Sequence, residues 1–225
     1  MWLRWRRYAR FNPCVPSRPN NYAGTSHFCL IGNLQLMKPE SHSPGWLNRP
    51  SPKLDPIQKY WLFRPGPLTQ GLRAQGEVRI QVVGEYAELV TPDELRTIGQ
   101  SPDTIVWVRE ICMSIDDTPA VVARSITPLD AARSVWQAVR RLRTRPLADI
   151  LYNDPAIVRS VFESCIAKSP LPIYKTVVRA GQLPSSGHSR LLARRSVFWK
   201  NEQPLQVTEC FLPAFWSDLL KQPRV

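Results

Sequence analysis

The chain has no CxxC pair, and His27, His42 and His188 stand far apart, so the ligand spacing that builds a zinc site is missing. Its five cysteines, Cys14, Cys29, Cys112, Cys165 and Cys210, are each isolated. An odd number of lone thiols is no disulfide framework and suits a reducing cytoplasm. No stretch approaches the roughly 18 apolar residues of a membrane helix, so no stable membrane insertion is expected. No internal repeat is visible. Residues 1–36 lack acids altogether while carrying Arg4, Arg6, Arg7, Arg10 and Arg18. A secretory signal is not the expectation there because no long apolar centre follows the basic start; an organellar transit peptide and a basic arm are the other readings. The reading we favour is upstream sequence ahead of a natural start at Met37, where ordinary composition begins with Glu40.

That segment also bears on the net charge of +12, which invites a nucleic-acid partner. Without its five arginines, 25 basic residues face 18 acidic ones, and the phosphate-binding reading loses most of its weight. The whole chain is 43% hydrophobic and 21% charged, over a length that buries its own core without disulfides or metal. We read residues 1–54 as an irregular extension, 55–213 as one domain and 214–225 as a C-terminal tail.

Asp55-Pro56 supplies a capping acid and a first-turn proline for a helix over 57–63, and a second short helix over 68–75 closes at Gly76. Residues 78–83 alternate as a strand, and Thr91-Pro92-Asp93-Glu94 starts a capped helix or turn. Strands over 105–115 and 120–127 flank Asp116-Asp117-Thr118-Pro119 as a hairpin. Thr127 then caps one helix carrying Leu129, Ala132, Val135, Trp136, Val139 and Leu142 along a single side. A helical turn is expected over 146–152, a helix over 155–166, a strand over 174–178 and a second hairpin over 195–212 turning at 201–204. Hairpins with helices between them predict an α+β fold with an antiparallel sheet.

Two charges break this pattern. Within IVWVREICMSI, residues 105–115, alternation puts Arg109 with Ile105, Trp107, Ile111, Met113 and Ile115, on the oilier face. Within LQVTECFLP, residues 205–213, it puts Glu209 with Leu205, Val207 and Phe211. A guanidinium is costly to bury without an anionic partner. Arg109 and Glu209 therefore either bridge each other or line a cavity, Arg109 taking a ligand carboxylate and Glu209 a polar atom at the ligand's other end. Cys112 and Cys210 lie on the opposite faces of these strands and read as packing residues. The pattern alone leaves both explanations open.

The blocks VWVREI at 106–111, ARSITP at 123–128, RPLADILY at 145–152 and ARRSVFW with PLQVTECFLP at 193–213, together with LTQGLRAQG at 68–76, resemble the chorismate lyase family. The resemblance covers roughly 55–213. It implies a six-stranded antiparallel sheet flanked by helices, with the ligand enclosed under flaps. It implies removal of pyruvate from chorismate to give 4-hydroxybenzoate, the first committed step toward the ubiquinone ring, without metal or organic cofactor. The implied partner is this small molecule alone, with no nucleic acid, and the implied state is a monomer.

The family's ligand-binding arginine and glutamate match Arg109 and Glu209, and its leucine contact matches Leu147. Its early contact, a methionine in well-known members, matches Leu68, a substitution that matters only if the side chain makes the contact. The 169–189 region is longer than the family's. Arg109 would anchor the ring carboxylate, and Glu209, protonated on its apolar face, would hydrogen-bond the ether oxygen as it leaves. Chorismate carries a second carboxylate, for which Arg124 on the return strand is the candidate. Arg194 and Arg195 point opposite ways, so one of them near the pocket is open, with a solvated surface pair as the default. The same fold also resembles effector-binding domains of bacterial transcription regulators, so a non-catalytic small-molecule binder is the alternative.

Overall fold

The structure is a computed structural model that describes residues 45–183 and 190–221. The readings placed on residues 1–44, including a start at Met37, and the loop at His188 lie outside the described residues.

Asp55 caps α1 (Pro56–Phe63) through a reciprocal box with Gln58, as the sequence predicts. Helix α2 (Leu68–Arg73) follows, then the long strand β1 (Val78–Leu89) and α3 (Pro92–Thr97), which Thr91 caps. Strands β2 (Ile105–Ile115) and β3 (Thr118–Pro128) form the first hairpin. Its two-residue turn, Asp116-Asp117, takes left-handed φ values of 46° and 67°. Next come α4 (Leu129–Arg133), α5 (Gln137–Arg140) and α6 (Ala148–Leu151), the short strands β4 (Val158–Arg159) and β5 (Glu163–Ala167), and α7 (Pro172–Arg179). Strands β6 (Leu191–Lys200) and β7 (Gln203–Phe211) make the second hairpin, and α8 (Pro213–Lys221) ends the described chain.

The sheet is antiparallel in every pairing, with order β1-β2-β3-β7-β6-β4, and β5 also pairs β6. It is thus six strands wide, as the family resemblance implies, with a seventh element because β4 and β5 share the last position. β4 covers Phe198 and Trp199, and β5 covers residues 191–195.

Helices cover both faces. On the front, α1, α2 and α8 pack with Ile111, Met113, Leu192 and Phe211, while α4, α5 and α6 pack with Trp107, Phe198 and Leu205. On the back, α7 packs with Cys112, Val122, Ala193 and Cys210, and Ile98 after α3 packs with Val106, Val108 and Ile126. This double cover explains why most of β2, β3 and β6 is buried without regard to alternation.

Several elements differ from the sequence expectation. The single helix from Thr127 is two short ones, because Ser134 leaves the helical region at φ −119° and ψ −98° and its hydroxyl donates to the Asp130 carbonyl. Thr127 belongs to β3 and donates to Pro204 O at 2.6 Å, so it caps nothing. The helix expected over 155–166 is β4 and β5. Its β-branched residues Ile157, Val158 and Val161 favour the extended chain, and Ser160 N donates to Val197 O on β6 at 2.8 Å. The strand expected over 174–178 is α7, whose buried Ile173, Thr176 and Val177 follow the 3.6-residue period. Folded structure also starts before Asp55 and continues past Pro213. Trp46 is buried, Leu47 bridges to Ser164, and α8 buries Phe215. Among the described residues no helix is long and apolar enough to cross a membrane.

Phe211 is fully buried among Trp61, Phe215 and Trp216, with ring centroids 5.1 to 6.5 Å apart. Phe211→Ala is expected to cost about 3–5 kcal/mol of stability, read as a lower urea midpoint. A loss below about 1 kcal/mol would show that this cluster does not hold α1 and α8 to the sheet.

Candidate active site

Between the two front clusters the packing leaves a cavity of about 50 Å³. Its floor is the front face of the sheet, with Arg109, Ile111 and Met113 from β2, Ala123 and Ser125 from β3, Arg194, Ser196 and Phe198 from β6, and Val207 and Glu209 from β7. Leu68 and Thr69 of α2 cover one side, and Pro146 to Ala148, Leu151 and Tyr152 cover another. Leu68, Arg109, Leu147 and Glu209 are thus all brought to one cavity. Arg124 is not.

Arg109 is 1% exposed and sits opposite Glu85 in the β1–β2 register. Its Nε donates to Glu85 Oε1 at 3.0 Å, and its Nη2 donates to the backbone carbonyl of Arg143. That carbonyl is presented by a residue with left-handed φ of 51°, just past α5, which replaces the expected last helical turn. Burial lowers the Arg109 pKa from its ordinary value, partly offset by Glu85. Its Nη1 has no partner among the described residues, so the guanidinium still offers its outer edge to a carboxylate.

Glu209 does not bridge Arg109. It sits opposite Arg194 across β6 and β7, and Arg194 Nε donates to Glu209 Oε2 at 2.6 Å. Arg194 is 1% exposed, donates through Nη1 to Trp61 O at 2.9 Å, and lies over the Phe162 ring at 4.3 Å. The hydrogen-bond donor at this end of the cavity is therefore Arg194, with Glu209 as its acceptor. The sequence reading left open which of Arg194 and Arg195, if either, meets the pocket, because the two together made both strand faces look charged, although alternation with Leu192, Ser196 and Phe198 carries the signal.

Arg195 is equally buried, on the back face, where it pairs with Glu163 at 2.7 Å and Asp93 at 2.8 Å and lies 4.1 Å from the Trp46 ring. Neither arginine is a surface residue. Arg124 is the second correction. It lies on the back face, bound to Glu94 at 2.8 Å, Glu88 at 2.7 Å and Glu110 at 3.0 Å. Burial alone would lower its pKa, but Glu94 and Glu88 outweigh burial and raise it. The cause of the misplacement is a register shift between Met113 and Ser114. Unshifted, the two-residue turn would set Arg124 opposite Arg109, on the cavity face; shifted, Ser125 faces Arg109 and Arg124 faces Glu110.

The cavity therefore combines two arginines, one glutamate, two serines and an apolar wall of leucine, phenylalanine and valine. Arginines set in such an apolar wall are chemically able to hold a small anion with a polar far end. Among the described residues no three His, Cys, Asp or Glu side chains come together to hold a metal ion.

Residues 45–221 match the family model described as Chorismate lyase. A Bordetella pertussis protein named probable chorismate pyruvate-lyase is 53% identical over 177 residues, covering 77% of this chain and 90% of that protein. A Pseudomonas entomophila protein named probable chorismate pyruvate-lyase 1 is 37% identical over 172 residues, covering 76% of this chain and 91% of that protein. Among solved structures, the effector domain of PhnF from Mycobacterium smegmatis superposes with a TM-score of 0.46 at 11% identity, covering 66% of this chain and 90% of that one.

Cys112 and Cys210 lie on the back face, away from the cavity, and burial pushes both thiols up. In the folded protein near neutral pH, iodoacetamide is expected to leave both unmodified, while the urea-unfolded chain is alkylated at both. Peptide mass mapping checks this, and rapid native alkylation of either would contradict their packing role.

Proposed function

The chain belongs to the chorismate lyase family, and we propose that it cleaves chorismate to 4-hydroxybenzoate and pyruvate in the cavity on the front face of its sheet. The observation that carries this reading is the presence of Arg109 and Glu209, with Leu68 and Leu147, on the wall of one mostly apolar cavity. The product would supply the ubiquinone ring.

In this reaction the ring of chorismate loses one proton and the bond to its enolpyruvyl ether oxygen. The electrons left behind complete the aromatic ring, and the released enolpyruvate takes up a proton to become pyruvate. Atoms balance without an oxidant or reductant. Because aromatisation supplies the driving force, the protein mainly holds a reactive conformation and excludes water.

The open Nη edge of Arg109 would take the ring carboxylate through charge-assisted hydrogen bonds. At the far end, Glu209 would accept from the ring hydroxyl. Negative charge grows on the ether oxygen as its bond to the ring breaks. Arg194, fixed by Glu209 and Trp61 O, has Nη2 unpaired among the described residues and would stabilise that charge with little reorganisation. Leu68 would act through shape, so the loss of a family thioether there matters little. The cavity of about 50 Å³ has room for a few waters, less than the ring acid needs. Binding therefore requires part of the wall, in α2, the 146–152 segment or the Phe162 ring, to move outward.

Purified protein mixed with chorismate is expected to form 4-hydroxybenzoate, followed by absorbance, and an equal amount of pyruvate. Tight binding without product would leave the non-catalytic binder as the better reading. Arg109→Ala is expected to lower kcat/KM at least about 100-fold, the loss of one or two hydrogen bonds to a charged group. Wild-type kinetics in that variant would refute the carboxylate anchor, and unaltered turnover in Glu209→Gln would show that the Glu209 charge is not needed to fix Arg194 or to hold the ring hydroxyl.

A further inference from the structure

We propose that Arg159 is a further substrate-positioning residue, which receives the second carboxylate of the substrate, the one on its enolpyruvyl group. This rests on the chorismate-cleaving reading above and assigns the contact for which Arg124 had been the candidate.

Arg159 stands on β4, and its partner across the sheet is Phe198 of β6. Residues directly opposite in an antiparallel pair project to the same face, and Phe198 lines the cavity. Arg159 therefore shares the front face with Arg194 and Glu209. Its guanidinium lies 3.9 Å from the centre of the Phe162 ring, another cavity wall residue, and Arg194 lies 4.3 Å from the same ring. Arg159 thus stands one aromatic ring back from the cavity, at the end that holds Glu209.

Arg159 is part-buried, and its charge is unlike that of the two buried arginines of the cavity. Arg109 is ion-paired to Glu85 and Arg194 to Glu209, whereas among the described residues Arg159 has no ion pair and its Nη1 is buried without a hydrogen-bond partner. Burial lowers its pKa, the like charge of Arg194 adds to that, and Tyr152 and Glu209 partly oppose it. A guanidinium held beside an apolar wall with an orphaned N–H is costly unless an anion completes it. Three arginines with two glutamates leave one positive charge at this site. Chorismate brings two carboxylates: Arg109 suits the ring carboxylate, and Arg159 is left for the other. A ligand that exceeds the cavity volume displaces part of its wall, and displacement of the Phe162 ring brings it against Arg159.

The proposal separates substrate from product, because 4-hydroxybenzoate has lost the second carboxylate. Arg159→Gln, Arg159→Lys and Arg159→Met, checked for folding by thermal melting, are assayed beside the wild type for chorismate turnover and for competitive inhibition by 4-hydroxybenzoate. Arg159→Gln is expected to raise KM for chorismate about tenfold while the inhibition constant of 4-hydroxybenzoate stays within about twofold, with Arg159→Lys recovering most of the loss. Arg159→Met keeps the stacked stem and gives the same result if the Gln variant does not fold. An unchanged KM, or an equal loss of substrate and product affinity, overturns the assignment. A wild type that forms no product refutes the parent reading instead.

Discussion

Four buried arginines are each ion-paired to the glutamate directly opposite on a neighbouring strand: Arg109 to Glu85, Arg124 to Glu110, Arg194 to Glu209 and Arg195 to Glu163. The rest of the fold depends on this arrangement. Every pair is satisfied in one register only, since a slip of one residue would turn an arginine to the other face and strand a charge in the core. Apolar residues of similar volume would often stabilise as well, so the pairs are better understood as fixing register than as adding stability. They also fix which charges meet the cavity.

The two faces use the same pair differently. On the back, α3 adds Asp93 and Glu94, so Arg195 has two carboxylates and Arg124 has three, Glu88 included. The charge of each of those guanidiniums is thus already met by carboxylates, although Nη2 of Arg195 is left without a hydrogen-bond partner among the described residues. On the front, Arg109 and Arg194 have one carboxylate each and take one backbone carbonyl each, of Arg143 and Trp61, which leaves one Nη of each open. A carbonyl contributes a dipole where a carboxylate contributes a full charge, so the front retains an appetite for anions that the back has lost. The difference comes from which acidic helix packs against which face.

Much of this was legible in the sequence. Arg109 and Glu209 stood out because a strand's period is two and a charge among apolar residues violates it. Capped starts such as Asp55-Pro56 and Thr91-Pro92 also read correctly, because a cap is a local hydrogen bond. What was hidden is tertiary. The shift between Met113 and Ser114 leaves no mark on composition yet moves Arg124 through the sheet. Residues 155–166 and 172–179 are short and amphipathic in either conformation, and the choice was made by the edge of β6 and by the back face that α7 covers. Arg194 and Arg195 were ambiguous because a strand covered on both faces can bury charge on both.

The cavity lies on the seam between the two front clusters, where packing is interrupted and charges are admitted. Its covers are the least self-sufficient elements of the fold. Helix α2 has six residues and α6 four, and neither has a side-chain cap, so neither is stable apart from what it packs against. The Tyr152 hydroxyl, just after α6, donates to the Gly66 carbonyl, just before α2, at 3.1 Å and joins the two covers. Exposed to solvent, such a bond contributes about 1 kcal/mol at most. Opening the seam thus breaks this solvent-facing link and some apolar contact, while the floor is held by strand ladders and buried ion pairs. Rigidity is concentrated where the charges must be placed, and compliance where the ligand must pass.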